Sequence, residues 1–267
     1  VHKDDGSVTI NTDGTISRIL EPVSFKPKVV VLSGDKDPDL LAKIDRVLGV
    51  KWLPETDVLE YKFDVNLAMK VKGKRIKGPK LTLKDVEMVR SHNFSRRQAL
   101  GICHQLYDPY GLTASYIMKL KVRLRELVLM ELDWDETIPY VENEWWQHRV
   151  AEIIAAKSIT FPRSVWVEKA KGRPELLGFW DGSDVGYGCL VFVRWLTSEP
   201  EQPETYYTTL MSSKAKVTPK ICTTPRAELA GLVLLARLLR KIVPNMDKKP
   251  ARLSLMGDST CTIASLQ

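Results

Sequence analysis

Leu176-Leu177-Gly178-Phe179-Trp180-Asp181-Gly182-Ser183-Asp184 places a carboxylate within an apolar run that continues into the strand-like Cys189-Leu190-Val191-Phe192-Val193. A charged side chain in the middle of a β pattern needs a partner. Two further acids stand where a backbone element would hold them rigidly. Glu228 lies one turn into a helix announced by Thr224-Pro225, with Thr224 as N-cap and Pro225 as first helical residue. The apolar series Leu229, Leu232, Val233, Ala236 and Leu239 follows at helical spacing. Asp258 comes after Leu253-Ser254-Leu255-Met256-Gly257, at the carboxyl end of a short strand, where open α/β sheets place their chemistry. Each acid alone reads as a solvated surface residue or a cap. Their order along the chain argues against that, because the three converge only if the helix packs on the strands. Converging carboxylates repel one another unless cations neutralise them. Two Mg²⁺ (or Mn²⁺) ions about 4 Å apart suit such a set, since these hard ions take oxygen ligands and hold the attacking and leaving oxygens of a phosphodiester. Asp181, Glu228 and Asp258 are thus the expected metal ligands and catalytic residues.

The order β(Asp), β, β, α(Glu), β(Asp) is that of ribonuclease H folds, and the surrounding sequence sharpens the likeness. Phe179-Trp180-Asp181-Gly182-Ser183-Asp184-Val185-Gly186-Tyr187-Gly188 resembles the first ribonuclease H strand of BEL/Pao-type LTR retrotransposon polyproteins. Thr224-Pro225-Arg226-Ala227-Glu228-Leu229-Ala230 is similar to their second motif, and Gly257-Asp258-Ser259-Thr260 to their third. Upstream, Val47-Leu48-Gly49-Val50-Lys51-Trp52 and Gln105-Leu106-Tyr107-Asp108-Pro109-Tyr110-Gly111-Leu112 resemble segments that follow the reverse-transcriptase palm. The resemblance spans residues 44–267. It implies an α/β fold: a mixed-sheet ribonuclease H-like domain preceded by a smaller α+β thumb/connection-like region. It further implies Mg²⁺-dependent hydrolysis of the RNA strand in an RNA·DNA hybrid. Asp181 would bridge both metals, Glu228 would hold one and orient the attacking water, and Asp258 would complete the other. The family supplies a fourth acidic ligand well downstream of the third. This chain stops nine residues after Asp258, at Gln267, so its hydrolysis is expected to be weak or absent.

Composition agrees with a piece of such a polyprotein. At 267 residues and 44% hydrophobic content, the chain buries a sizeable core and predicts two domains. The expected division is an irregular segment over 1–46, a candidate end of the palm; a thumb/connection-like helical region with a hairpin over 47–157; a connection over 158–175; and the ribonuclease H-like domain, truncated at its C-terminus, over 176–267. A net charge of +7 favours a polyanionic partner, here the RNA·DNA hybrid, beside other parts of the polyprotein. The four cysteines show no paired spacing and sit in apolar or helical contexts, which predicts reduced thiols and an intracellular (cytoplasmic or nuclear) setting. No apolar stretch reaches membrane-span length, so no membrane partner is expected. Val1-His2-Lys3-Asp4 lacks both an initiating Met and a signal-peptide pattern, and both ends read as cut from something longer.

Before the carboxylate motifs, the chain carries mostly scaffold signals. Residues 1–40 are turn-rich around one β run, Val29-Val30-Val31-Leu32, with no Tyr-x-Asp-Asp word; polymerase chemistry is not encoded. Trp52-Leu53-Pro54-Glu55-Thr56-Asp57 separates two β-prone runs and predicts a hairpin. Lys70 to Lys80 holds six basic residues and no acid, so Lys72, Lys74, Arg75 and Lys77 are candidate phosphate contacts, with a solvated loop as the alternative. Arg96 and Arg97 join that candidate list. They open a helix capped by Ser95 and Gln98. Asp108-Pro109-Tyr110-Gly111 has the residue preferences of a type I turn, and Ile117, Leu120, Leu124, Leu127 and Val128 then form an apolar stripe. Trp145-Trp146 opens another helix through about Ala156 and reads as core, with base stacking as the alternative. The four histidines lack zinc spacing, and no Gly-x-Ser-x-Gly elbow exists. Two rival functions remain. An aspartic peptidase would need Asp-Thr-Gly or Asp-Ser-Gly on a β-barrel, whereas the chain has Asp181-Gly182-Ser183. The other is a non-catalytic nucleic-acid-binding or domesticated interaction module that retains the carboxylates.

Overall fold

The computed structural model describes residues 49–67, 70–71, 74–75, 78–156 and 158–264. Expectations for 1–46, and for Lys72 and Lys77, fall outside these. The predicted hairpin is present: β1 (Val50–Leu53) and β2 (Val58–Tyr61) pair antiparallel, Val50 against Tyr61 and Leu53 against Val58. Lys74 and Arg75 form the second arm of a two-residue hairpin, β4 against β3 (Lys70–Val71).

A helical layer follows. It comprises α1 (Val86–Arg90), α2 (Arg96–Gln105), α3 (Ala114–Leu129) and α4 (Tyr140–Ala155). The Ser95 cap forms as expected: Gln98 N donates to the Ser95 hydroxyl, and Ser95 N donates to Gln98 Oε1 at 3.0 Å. The Asp108 turn also forms. Gly111 N donates to Asp108 O at 3.3 Å, while the Asp108 carboxylate accepts Leu112 N at 2.9 Å and Thr113 N at 2.7 Å, holding the start of α3. Ile117, Leu120 and Leu127 are buried as the stripe requires, but Val128 is 52% exposed, since the stripe turns out of the layer at the end of α3. Trp146, fully buried and edge-on to Trp145, centres this core with Phe94, Ile102, Leu120 and Val150.

Ile159–Pro162 is a strand, β5, that pairs antiparallel with β2, Leu59 opposite Phe161. Composition alone gave it as connection. Two side-chain contacts fix it: Phe161 meets the Tyr61 ring edge-on at 5.5 Å between centroids, and Arg163 Nη2 donates to Asp57 Oδ2 at 2.9 Å.

The second core lies on a four-stranded sheet ordered β8-β7-β6-β9. The strands are β6 (Lys171–Gly182), β7 (Gly186–Leu196), β8 (Tyr206–Val217) and β9 (Arg252–Met256). The first three form an antiparallel meander, and β9 runs parallel to β6. Helix α5 (Thr224–Ile242) covers one face, and the short α6 (Thr260–Ala264) follows β9. This is the mixed-sheet α/β architecture expected, and the open sheet with its packed helix does not fit the barrel that a peptidase would require.

Two details of α5 differ from expectation. Its N-cap is Thr223, and Thr224 is already helical. Its buried face runs through Ala227, Gly231, Leu232, Leu234, Leu235, Leu238 and Leu239, leaving Leu229, Val233 and Ala236 exposed. The reason is at Gly182: a Cβ there would stand 2.3 Å from Ala227 C, so it is Ala227 that must face the sheet and set the helix rotation.

The helical layer meets the sheet's opposite face. Ser213 N donates to Tyr110 O at 2.9 Å, the Ser213 hydroxyl bonds Gly111 O, and Gly111 itself (φ +77°) comes so close that a Cβ would lie 1.8 Å from Ser213 O. Met118 covers Gly186, and Arg125 Nη1 donates to Thr218 O at 3.0 Å. Among the described residues no helix is long and apolar enough to cross a membrane.

Candidate active site

Residues along β6 alternate between faces: Leu176, Gly178, Trp180 and Gly182 are buried towards α5, and Leu177, Phe179 and Asp181 point the other way. Asp181 is exposed and opposite Gly188 on β7. The parallel ladder between β6 and β9 brings Phe179 against Met256, so Asp181 and Asp258 each stand two residues beyond one paired rung. Both line one groove of about 850 Å³ between the sheet and α3, floored by Phe179, Leu190 and Met256 and flanked by Met118.

Glu228 comes from the other side of the sheet. Its helix approaches closely because Gly182 lacks a side chain: an added Cβ would lie 2.4 Å from Glu228 N. Its Oε2 accepts the Ser259 hydroxyl at 2.6 Å, which ties it to the residue following Asp258. Asp181 Oδ1 accepts the Gly182 amide at 2.7 Å. The structure therefore puts Asp181 and Asp258 in the wall of one groove, and Glu228, which does not line that groove, is linked to Ser259, the residue after Asp258.

All the donors are carboxylate oxygens, the chemistry that magnesium and manganese prefer. Yet among the described residues no group of three or more His, Cys, Asp or Glu side chains is arranged to hold a metal ion. Under the groove, burial pushes the Cys189 thiol up to about 11, so it is neutral and takes no part as a nucleophile.

A model of the Pao retrotransposon-like RNaseH-like domain matches residues 95–259. The chain belongs to that family. The match takes in all three acids and also helices α2 to α4, so in this Pao-type domain the helical layer and the sheet are covered together. No curated protein matches the chain.

The basic candidates have separate positions within the Pao-type domain and upstream of it. Arg97 is engaged in a two-pronged pair with Asp135, at 2.7 and 3.0 Å, and Arg96 lies 4.3 Å over the Trp134 ring. The pair raises the arginine's affinity for its proton and holds the Asp135 carboxyl below its ordinary range, through the hydrogen bond first. Neither arginine lines the groove that holds Asp181 and Asp258. Lys74 and Arg75 lie on β4, upstream of the matched region. Sequence reasoning missed Ser259, which is buried, directly precedes the short helix and donates its hydroxyl to Glu228. The signal was its place directly after Asp258 and one residue before a helix, where a hydroxyl residue is a favoured N-cap.

Proposed function

We propose that this Pao-type domain is the ribonuclease H part of a retrotransposon reverse transcriptase, hydrolysing RNA in RNA·DNA hybrids from Asp181, Glu228 and Asp258. One observation carries the reading: the parallel β6–β9 ladder ends with both aspartates at the same sheet edge, and the α5 glutamate is bonded to the serine beside one of them. Magnesium or manganese, when bound, supplies charge neutralisation and an activated water. The chain's own contribution is positional. Gly182 lets α5 come close, Ser259 fixes the rotation of Glu228, and the positive N-terminal end of α5 offsets part of the repulsion among the carboxylates.

A second reading, a domain that binds nucleic acid without cutting it, is supported by one observation: among the described residues no group of three or more His, Cys, Asp or Glu side chains is placed to hold a metal ion. Incubation of an end-labelled RNA·DNA hybrid with the protein in Mg²⁺ and in Mn²⁺ separates the two. Slow RNA cleavage that disappears in Asp181→Asn, with hybrid binding retained, supports the nuclease. Binding without cleavage in either metal gives the binding module.

A further inference from the structure

The exposed side of α5 forms a second groove, about 320 Å³, against the β7–β8 edge of the sheet. Its floor is apolar: Leu229 is 48% and Val233 40% exposed, and Tyr187 closes one wall. Its rim is basic, formed by Lys216 of β8 and by Arg226 and Arg237 of α5, all exposed. Among the described residues no Asp or Glu lines it.

Arg226 and Arg237 are eleven positions apart, which returns to the same helix face after three turns and separates them by about 16 Å along the axis. That distance equals roughly five nucleotide steps of a duplex at 3.4 Å each. Lys216 stands opposite Tyr187, which stands opposite Gly182, so one rung of the sheet joins the groove to the residue after Asp181. At the strand spacing, Lys216 is about 10 Å from Gly182. Arg226 precedes Glu228 by two residues, so the groove begins at the same end of α5 as Glu228, on a different face of the helix.

We propose that this groove holds the sugar-phosphate backbone of the nucleic acid, with phosphates on Lys216, Arg226 and Arg237 and sugar carbons on Leu229 and Val233. The proposal rests on the nucleic-acid-processing reading above and extends it to a binding track distinct from the 850 Å³ groove. Three contiguous cations without an acid are complementary to a polyanion, and the apolar floor suits the carbon faces of the sugars.

The test is fluorescence anisotropy of a labelled RNA·DNA hybrid in EDTA, which prevents cutting, over a salt series. Losing three phosphate contacts should flatten the salt dependence by about 0.9 per contact, so wild type should lose about 40-fold more affinity than Lys216→Gln/Arg226→Gln/Arg237→Gln between about 50 and 200 mM salt. Each single variant should flatten it by about one contact. The charge-matched control Lys62→Gln/Lys84→Gln/Lys169→Gln should keep the wild-type slope; these lysines are exposed and lie outside the groove. An unchanged slope in the groove variant, or an equal change in the control, overturns the groove while leaving the nuclease reading intact. Displacement of the hybrid by polyglutamate at equal charge would reassign the groove to an acidic protein. A wild-type protein that fails to bind hybrid at all removes both readings.

Discussion

Gly182→Ala tests how the helix is placed against the strand that carries Asp181. The added methyl carbon would lie 2.3 Å from Ala227 C, 2.4 Å from Glu228 N and 2.6 Å from Ala227 O. These are backbone atoms of the first turn of α5, so no side-chain rotation relieves the overlap. Restoring an ordinary contact of about 3.4 Å requires a shift of about 1 Å in the helix start or the strand. Overpacking of this kind costs about 1–3 kcal/mol. In a chain of this size, about 1 kcal/mol moves the thermal midpoint by roughly 2–4 °C. Gly101→Ala is the natural control: nothing lies within 4 Å of its Cβ position, and it sits inside α2. It should stabilise by about 0.5–1 kcal/mol through helix propensity. Thermal unfolding followed by circular dichroism gives both numbers. In a cleavage assay, the same 1 Å displacement of Glu228 should lower the rate by about 100-fold. A Gly182→Ala protein with the wild-type midpoint would refute the close approach, and with it the placement of Glu228.

Other consequences are independent of catalysis. Gly111→Ala combines a left-handed backbone with a contact to Ser213 O, and should cost about 2–5 kcal/mol in denaturant unfolding; a loss under about 1 kcal/mol would mean that the turn does not seat on β8. Ser95→Ala removes the hydroxyl of a complete capping box and should cost about 1 kcal/mol, with an unchanged denaturant midpoint counting against the cap. A thiol reagent at neutral pH should label the half-buried Cys222 before Cys103 or Cys189, whose thiols burial pushes up to about 12 and about 11. Because the unfolded chain releases those protons first, both buried thiols should lower stability as pH rises from about 9 towards 11 and 12, and a flat stability profile there would contradict their burial.

Local chemistry was the legible part of the sequence. Ser95, Asp108 and Gly111 act on neighbours within five residues, and their cap and turn form as the residue types require. The β6–β7 hairpin and the strand before Asp258 were legible for the same reason. What escaped depends on partners far along the chain. Ile159–Pro162 is a strand because β2, about 100 residues earlier, offers an edge and Asp57 a partner for Arg163. The rotation of α5 escaped because its leucines supply two overlapping stripes, and periodicity does not choose between them. The choice is made at Gly182, 45 residues before Ala227.

The same choice explains why the candidate site lies at the sheet's edge. Strand alternation gives Asp181 to the groove face, whereas α5 packs on the opposite face, and the Glu228 backbone approaches β6 at its carboxyl end, at Gly182. Parallel pairing with β9 brings Asp258 to that same end, and the loop after it delivers Ser259 to Glu228. Had β9 run antiparallel, Asp258 would lie at the far edge of the sheet. The first turn of α5 also ends there, where its unpaired amides favour negative charge by about 0.3–1 kcal/mol for a nearby carboxylate. Three elements ending together thus place the acids where the first turn of a helix tolerates negative charge. The basic groove along α5 lies on the opposite face of the sheet from Asp181 and Asp258 and holds none of the three acids.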